Sequence, residues 1–166
     1  SLYQIEQELS NINTPKIEIS AVIGSVRDLK RMKSIFNYYG VQTIYHAAAY
    51  KHVPIVELNP IEGLYNNIFG TYNVSKVSYL NNVSNLIFIS TDKAVMPKSV
   101  MGLSKRFSEL ILQSFQFLSK NKGKENYFTT VRFGNVINSA GSVVPLFEKQ
   151  IKSFGPVTVT QPEMTR

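Results

Sequence analysis

Short apolar runs alternate along this chain with stretches whose apolar positions recur at helical spacing, and that alternation restricts the fold more than any other feature. The run from Ile17 to Ile23 reads as a strand, and Val26, Leu29, Met32, Ile35, Phe36 and Tyr39 mark a helix that Gly40 stops. A second strand runs from Val41 to Ala48. Pro60 then opens a long helix with Ile61, Leu64, Tyr65, Ile68 and Tyr72 on one face. A strand from Asn85 to Ile89 leads to a helix from Met101 to Lys120, with Phe107, Leu110, Ile111, Ser114 and Leu118 inward. The strand from Tyr127 to Val136, the helix from Val143 to Ser153 and the short strand from Val157 to Thr160 complete the series. Strands and helices in this order imply an α/β fold, a parallel sheet covered by helices on both faces.

The 166 residues suffice for one domain with a sizeable core. The sequence holds no cysteine, which excludes disulfides and thiolate metal sites, and no metal site is expected. No apolar run approaches the ~20 residues that span a bilayer, and no signal peptide is visible. Eighteen Lys plus Arg against 11 Asp plus Glu give a net charge of +7, enough to attract a nucleotide phosphate. The basic residues are scattered, so they read as a solvated surface and not as a nucleic-acid stripe.

Chemistry concentrates at one strand end. The apolar run Ile87-Phe88-Ile89 closes in Ser90-Thr91-Asp92-Lys93: two hydroxyls, a carboxylate and an amine on consecutive residues. Met101-Gly102-Leu103-Ser104-Lys105 follows at the start of the next helix. Open α/β sheets build active sites at the carboxyl ends of their strands. The plainer alternative is a buried strand with a polar end and a surface lysine.

This layout resembles the short-chain dehydrogenases/reductases, with Met101 where their tyrosine usually stands and Lys105 as the following lysine. The combination is similar to the CapD-type polysaccharide biosynthesis proteins, the nucleotide-sugar 4,6-dehydratases, and the resemblance runs from Leu2 to Arg166. It implies a Rossmann-like, doubly wound parallel sheet binding NADP or NAD. It also implies that the chain is a fragment: the glycine-rich phosphate loop and the first two strands are missing, and such a piece is expected to be inactive alone. Residues 1–166 would then be a partial NAD(P)-binding domain, leading from about residue 137 into a substrate-binding lobe. In the usual strand order, the segment from Ile17 to Ile23 would be parted from its neighbours.

By the same resemblance, Ser25 and Val26 of Gly24-Ser25-Val26-Arg27-Asp28 meet the adenine, Ser25 replacing an aspartate. His46, Ala47, Ala48 and Ala49 form the strand end beside the cofactor, where small side chains let the backbone approach closely; His46 read alone is a packed strand-end histidine. Asn67 on the central helix, Ser90 and Lys105 belong to the cofactor side, Lys105 at the nicotinamide ribose. Lys51, Asn135, Gly141, Ser142, Val143, Thr165 and Arg166 face the nucleotide sugar. Gly141-Ser142 opens a helix whose free amides favour an anion.

The implied reaction on a UDP-N-acetylhexosamine removes hydride at C4, eliminates water across C5 and C6, and returns hydride at C6. By family position Thr91 orients the C4 oxygen, Asp92 is the acid and Lys93 the base. Met101 has no proton to exchange, so the usual tyrosine role passes to another group or to water. A UDP-sugar 4-epimerase on the same scaffold and an inactive basic binding fragment remain alternatives. The resemblance further implies a homo-oligomer in the cytoplasm, at the inner membrane face where the parent carries a membrane anchor.

Overall fold

The computed structural model describes residues 2–12, 17–136 and 143–159. Strands β1 (Thr43–His46), β2 (Asn85–Thr91) and β3 (Tyr127–Phe133) form one parallel sheet in the order β1-β2-β3. The helices are α1 (Leu2–Ile12), α2 (Leu29–Tyr39), α3 (Val53–Leu58), α4 (Pro60–Leu64), α5 (Gly70–Leu80), α6 (Val100–Asn121) and α7 (Val143–Lys152). A π-helical turn at Tyr65–Phe69 joins α4 to α5.

Parallel strands need long crossovers, and α5 and α6 supply them. Along β2, Leu86, Phe88 and Ser90 are buried while the residues between them are half-buried, the period of a strand with two unlike faces. Leu86, Phe88 and Phe128 pack with Val74 and Val77 of α5, Leu112 and Phe115 of α6, and Met32 and Phe36 of α2. Asp28 caps α2 by accepting from the Arg31 amide at 2.9 Å, and Ser99 caps α6 by accepting from the Gly102 amide at 3.1 Å. Gly40 ends α2 with φ of 56°, the left-handed stop its sequence position implies.

Several expectations shift. Residues 17–23 are not a strand, because among the described residues no neighbouring strand offers them a ladder. Residues 157–159 also lack one, and Thr160 lies outside the described residues. The second and fourth strands are shorter than expected, ending at His46 and Phe133.

The inward helix faces also differ. On α6, Phe107, Leu110, Ser114 and Leu118 are exposed and Ile111 is half-buried, whereas Met101, Ser104, Lys105, Ser108, Glu109, Leu112 and Phe115 are buried. Ser104 and Ser108 donate to the Met101 and Ser104 carbonyls, so small hydroxyls enter the core satisfied and let α5 come close. Ile61, Tyr65 and Tyr72 are exposed too, because the π turn breaks the periodicity on which one continuous helix face depends. Asn66, Asn67, Gly70, Thr71 and Val74 are buried instead.

Ser75 is fully buried, and its hydroxyl has no hydrogen-bond partner among the described residues. An unpaired buried hydroxyl costs about 1–3 kcal/mol. Ser75→Ala should therefore raise the unfolding midpoint by a few degrees in thermal melts, and a lowered midpoint would show that the hydroxyl is paired in solution.

Candidate functional site

The carboxyl ends of the three strands and the first turns of α6 surround a cleft of about 650 Å³, a volume ordinary for small-molecule sites. It brings together Ala47, Ala49 and Lys51 after β1, Ser90, Thr91 and Lys93 at the end of β2, Met101 and Lys105 on α6, and Asn135 after β3. His52, Val53, Pro54, Phe133 and Gly134 line it as well. Among the described residues no group of three His, Cys, Asp or Glu side chains could hold a metal ion.

Residues Asp92–Ala94 form a single 3₁₀ turn. Lys93 Nζ donates to Asp92 Oδ1 at 3.1 Å, and Thr91 Oγ1 donates to the same oxygen at 2.9 Å. Gly102 holds this turn against α6: a Cβ there would sit 2.6 Å from the Lys93 carbonyl oxygen. Only a glycine admits that approach without moving the backbone that carries Lys93.

Lys105 is turned inward. Its Nζ donates to the Ile89 carbonyl at 2.8 Å and lies 4.5 Å from the Phe88 ring centre. Burial brings its pKa down to about 8, with the Glu109 carboxylate pulling the other way.

His46 is buried and does not line the cleft; its Nε2 is 3.0 Å from Thr71 Oγ1. Thr71 gives its own proton to the Asn67 carbonyl at 2.7 Å, so Nε2 must carry the imidazole hydrogen. Burial, then the positive Lys105, lower the His46 pKa to about 4, and the ring is neutral near pH 7.

Asn67 is likewise buried and not in the cleft wall. Its Nδ2 donates to the Tyr50 carbonyl at 3.0 Å and to Ser104 Oγ at 2.9 Å, and its Oδ1 accepts from the Tyr50 amide at 2.8 Å and from Asn66 Nδ2 at 3.1 Å. Both amide hydrogens are used, so Asn67 clamps the loop that carries Ala49 and Lys51.

Ser25 and Val26 lie apart from the cleft wall, on a turn fastened to the α4–α5 layer. Asn73 Nδ2 donates to the Val26 and Arg27 carbonyls, both at 3.1 Å, and Arg27 pairs with Glu62 and lies 4.6 Å over the Tyr65 ring. A Cβ on Gly70 would come 2.6 Å from Val26 Cγ2, so glycine is what lets this turn seat. Ala48 is exposed beside the cleft, and Val143 begins α7. Gly141, Ser142, Thr165 and Arg166 lie outside the described residues.

The group that sequence reasoning missed is Glu109. It is 1% exposed and binds Ser90, Arg106 and Arg132. The available signal was its place four residues after Lys105, one helical turn on.

The polysaccharide biosynthesis protein family matches residues 1–166, the whole chain. This chain belongs to that family. Within the family, the capsular polysaccharide biosynthesis protein CapD of Staphylococcus aureus is 49% identical over 166 residues, all of this chain and 27% of that protein. The UDP-glucose 4-epimerase of Rickettsia bellii (strain RML369-C) is 41% identical over 155 residues, 93% of this chain and 44% of that one. Among solved structures, Pen from Bacillus thuringiensis matches with a TM-score of 0.87 at 36% identity, over 99% of this chain and 49% of that chain. A dTDP-glucose 4,6-dehydratase from Streptomyces venezuelae, DesIV, solved with NAD, shares the fold at a TM-score of 0.73 and 19% identity, over 92% of this chain and 50% of its own. The chain thus spans half or less of the length of each of these proteins. The expected family and the Rossmann-like α/β fold are both borne out. Among the described residues, no helix is long and apolar enough to cross a membrane.

Proposed function

We propose that the protein is a nucleotide-sugar 4,6-dehydratase of surface-polysaccharide biosynthesis, acting on a UDP-N-acetylglucosamine-like substrate. The observation that carries this reading is the Asp92–Lys93 pair, 3.1 Å apart on the turn that follows Thr91; Thr91 and Lys93 line the cleft, and Asp92 adjoins it between them in the chain. Loss of water from a 4-keto sugar needs a base at C5 and an acid at the C6 hydroxyl. Lys93 Nζ would take the C5 proton as the C5–C6 double bond forms, and Asp92 would give its proton to the departing hydroxyl. That step ends with an ammonium beside a carboxylate, the pair seen here. Return of one proton across the 3.1 Å contact restores the neutral acid and base. Thr91 donates to Asp92 and accepts from the Lys93 amide at 3.4 Å, which leaves one lone pair for the proton of the C4 hydroxyl.

The cleft suits the nicotinamide end of NADP or NAD. Ala47 and Ala49 leave room for a flat ring, Met101 offers an apolar wall, and Lys105 brings an ammonium for ribose hydroxyls. When bound, the nicotinamide supplies a reversible hydride acceptor. The glycine-rich loop that would hold the pyrophosphate is not in this sequence.

The test is incubation of the full-length protein with UDP-N-acetylglucosamine and either cofactor, followed by mass spectrometry. The expected product has lost one water, with no net consumption of cofactor. An isomer of unchanged mass would overturn the reading in favour of a UDP-sugar 4-epimerase. That second reading is supported by the Rickettsia relatives at 40–41% identity that carry the epimerase name.

A further inference from the structure

Ser90 lines the cleft and is in register with Arg132 on the neighbouring strand, and both converge on one carboxylate. Ser90 Oγ donates to Glu109 Oε1 at 2.7 Å. Arg132 grips Glu109 with two bonds, Nε to Oε1 at 2.8 Å and Nη2 to Oε2 at 2.7 Å, and Arg106 Nη1 adds a third at 3.0 Å. A carboxylate loaded in this way only accepts, so the single proton of Ser90 is committed to it.

We propose that Glu109 is a positioning residue for the ligand in the cleft: it takes the Ser90 proton and so presents the Ser90 oxygen as a hydrogen-bond acceptor to an N–H or O–H donor of that ligand. The same carboxylate ties the end of β2 to the end of β3, which leads into Phe133, Gly134 and Asn135 of the cleft wall. Three elements that meet at the site are therefore fixed through one buried group. The inference rests on the reading of the cleft as a nicotinamide and nucleotide-sugar site. It adds the polarity of Ser90 and the residue that sets it.

A second consequence separates positioning from mere support. Lys105 feels Glu109 one turn away and His46 from β1, Lys51 and Lys93 line the same cleft, and Arg132 from β3 pairs with that Glu109. Of these, Glu109 is the anion that holds the Lys105 ammonium charged. Its loss should let Lys105 give up its proton at lower pH.

The experiment compares Ser90→Ala, Glu109→Gln and the double variant in the full-length protein. It reads the cofactor dissociation constant, the sugar KM and the pH at which cofactor affinity falls. Glu109→Gln is expected to weaken one of the two ligands about tenfold, the size of one hydrogen bond. A change in cofactor affinity assigns the donor to the nicotinamide nucleotide, and a change in KM alone assigns it to the sugar. Ser90→Ala should weaken the same ligand, the double variant should lose no more than Ser90→Ala, and the alkaline limb should move down only where Glu109 is replaced. Equal further loss on adding Glu109→Gln to Ser90→Ala, or an unmoved alkaline limb, overturns the proposal. If Glu109→Gln does not fold, Ser90→Ala alone decides: unchanged affinity for both ligands overturns the acceptor assignment. A wild-type protein that binds neither ligand overturns the functional reading and this inference with it. Wild-type binding with unaffected variants overturns this inference alone.

Discussion

Lys93→Ala should lower dehydratase turnover about 10²–10⁴-fold, the usual loss on removing a general base. The position allows so specific an expectation because the backbone there is fixed independently of the side chain. Gly102 packs on the Lys93 carbonyl, and Thr91 caps the turn. Truncation therefore removes an amine without moving the neighbouring groups. Asp92→Asn should slow water loss as well, since an amide has no acidic proton to give the leaving hydroxyl. Hydride removal at C4 needs neither group, so both variants should still show a transient nicotinamide absorbance change in a single turnover. Met101→Leu is the control: a buried, volume-conserving apolar swap costs under about 1.5 kcal/mol and removes no titrating group. Incorporation of solvent deuterium at C5 reports the base directly. Exchange in Lys93→Ala at the wild-type rate would assign the base elsewhere and leave the trio as a structural strand end.

The strand–helix alternation and the chemistry at the end of β2 were legible because each depends on neighbours in sequence. Ile87, Phe88 and Ile89 mark a buried strand by composition, and the polar residues that follow must sit at its carboxyl end. Gly40 and Pro60 could be read as a helix stop and start for the same local reason. What failed was inference about faces. Apolar periodicity chose Phe107 and Leu110 for the interior of α6, yet Ser104 and Ser108 occupy it by bonding back to their own helix. Hydroxyls satisfied within the backbone behave as small packing groups, and no hydrophobicity pattern announces them. The strand from Ile17 to Ile23 failed differently, since a ladder is a property of two segments and one sequence run shows only half of it. Glu109 was hidden because its partners come from β2, α6 and β3, residues 90, 106 and 132, which only the folded sheet brings together.

Stability should climb from pH 2 to 6.5, hold level to about pH 8 and climb again above it, so that its maximum lies above the usual range of about pH 5–8. Three buried groups set this trend, and their signs agree. Unfolded histidine takes a proton below pH 6.5, whereas His46 resists until about pH 4, so acid favours the unfolded chain across that window. Glu109 keeps its charge down to about pH 2, against 4.5 unfolded, through hydrogen bonds from Arg132, Ser90 and Arg106 that outweigh its burial; that contribution is lost as pH falls from 4.5 to 2. Lys105 runs from about 8 folded to 10.5 unfolded, so the penalty for burying its ammonium is full below pH 8 and relieved above it. Each displacement, at about 1.4 kcal/mol per pH unit, is worth on the order of 3 kcal/mol. The measurement is the thermal midpoint from pH 2 to 10, repeated for His46→Gln. The sequence holds two histidines, and His46 is the buried one, so this single variant should flatten the limb between pH 4 and 6.5 while leaving the lower limb of Glu109 in place. His46→Gln keeps an amide donor at the place of Nε2, so loss of the Thr71 Oγ1 hydrogen bond cannot imitate the result. A wild-type midpoint that stays level between pH 4 and 6.5 would mean that the His46 ring takes its proton in the folded protein. The neutral Nε2–H tautomer bound to Thr71 would then be wrong.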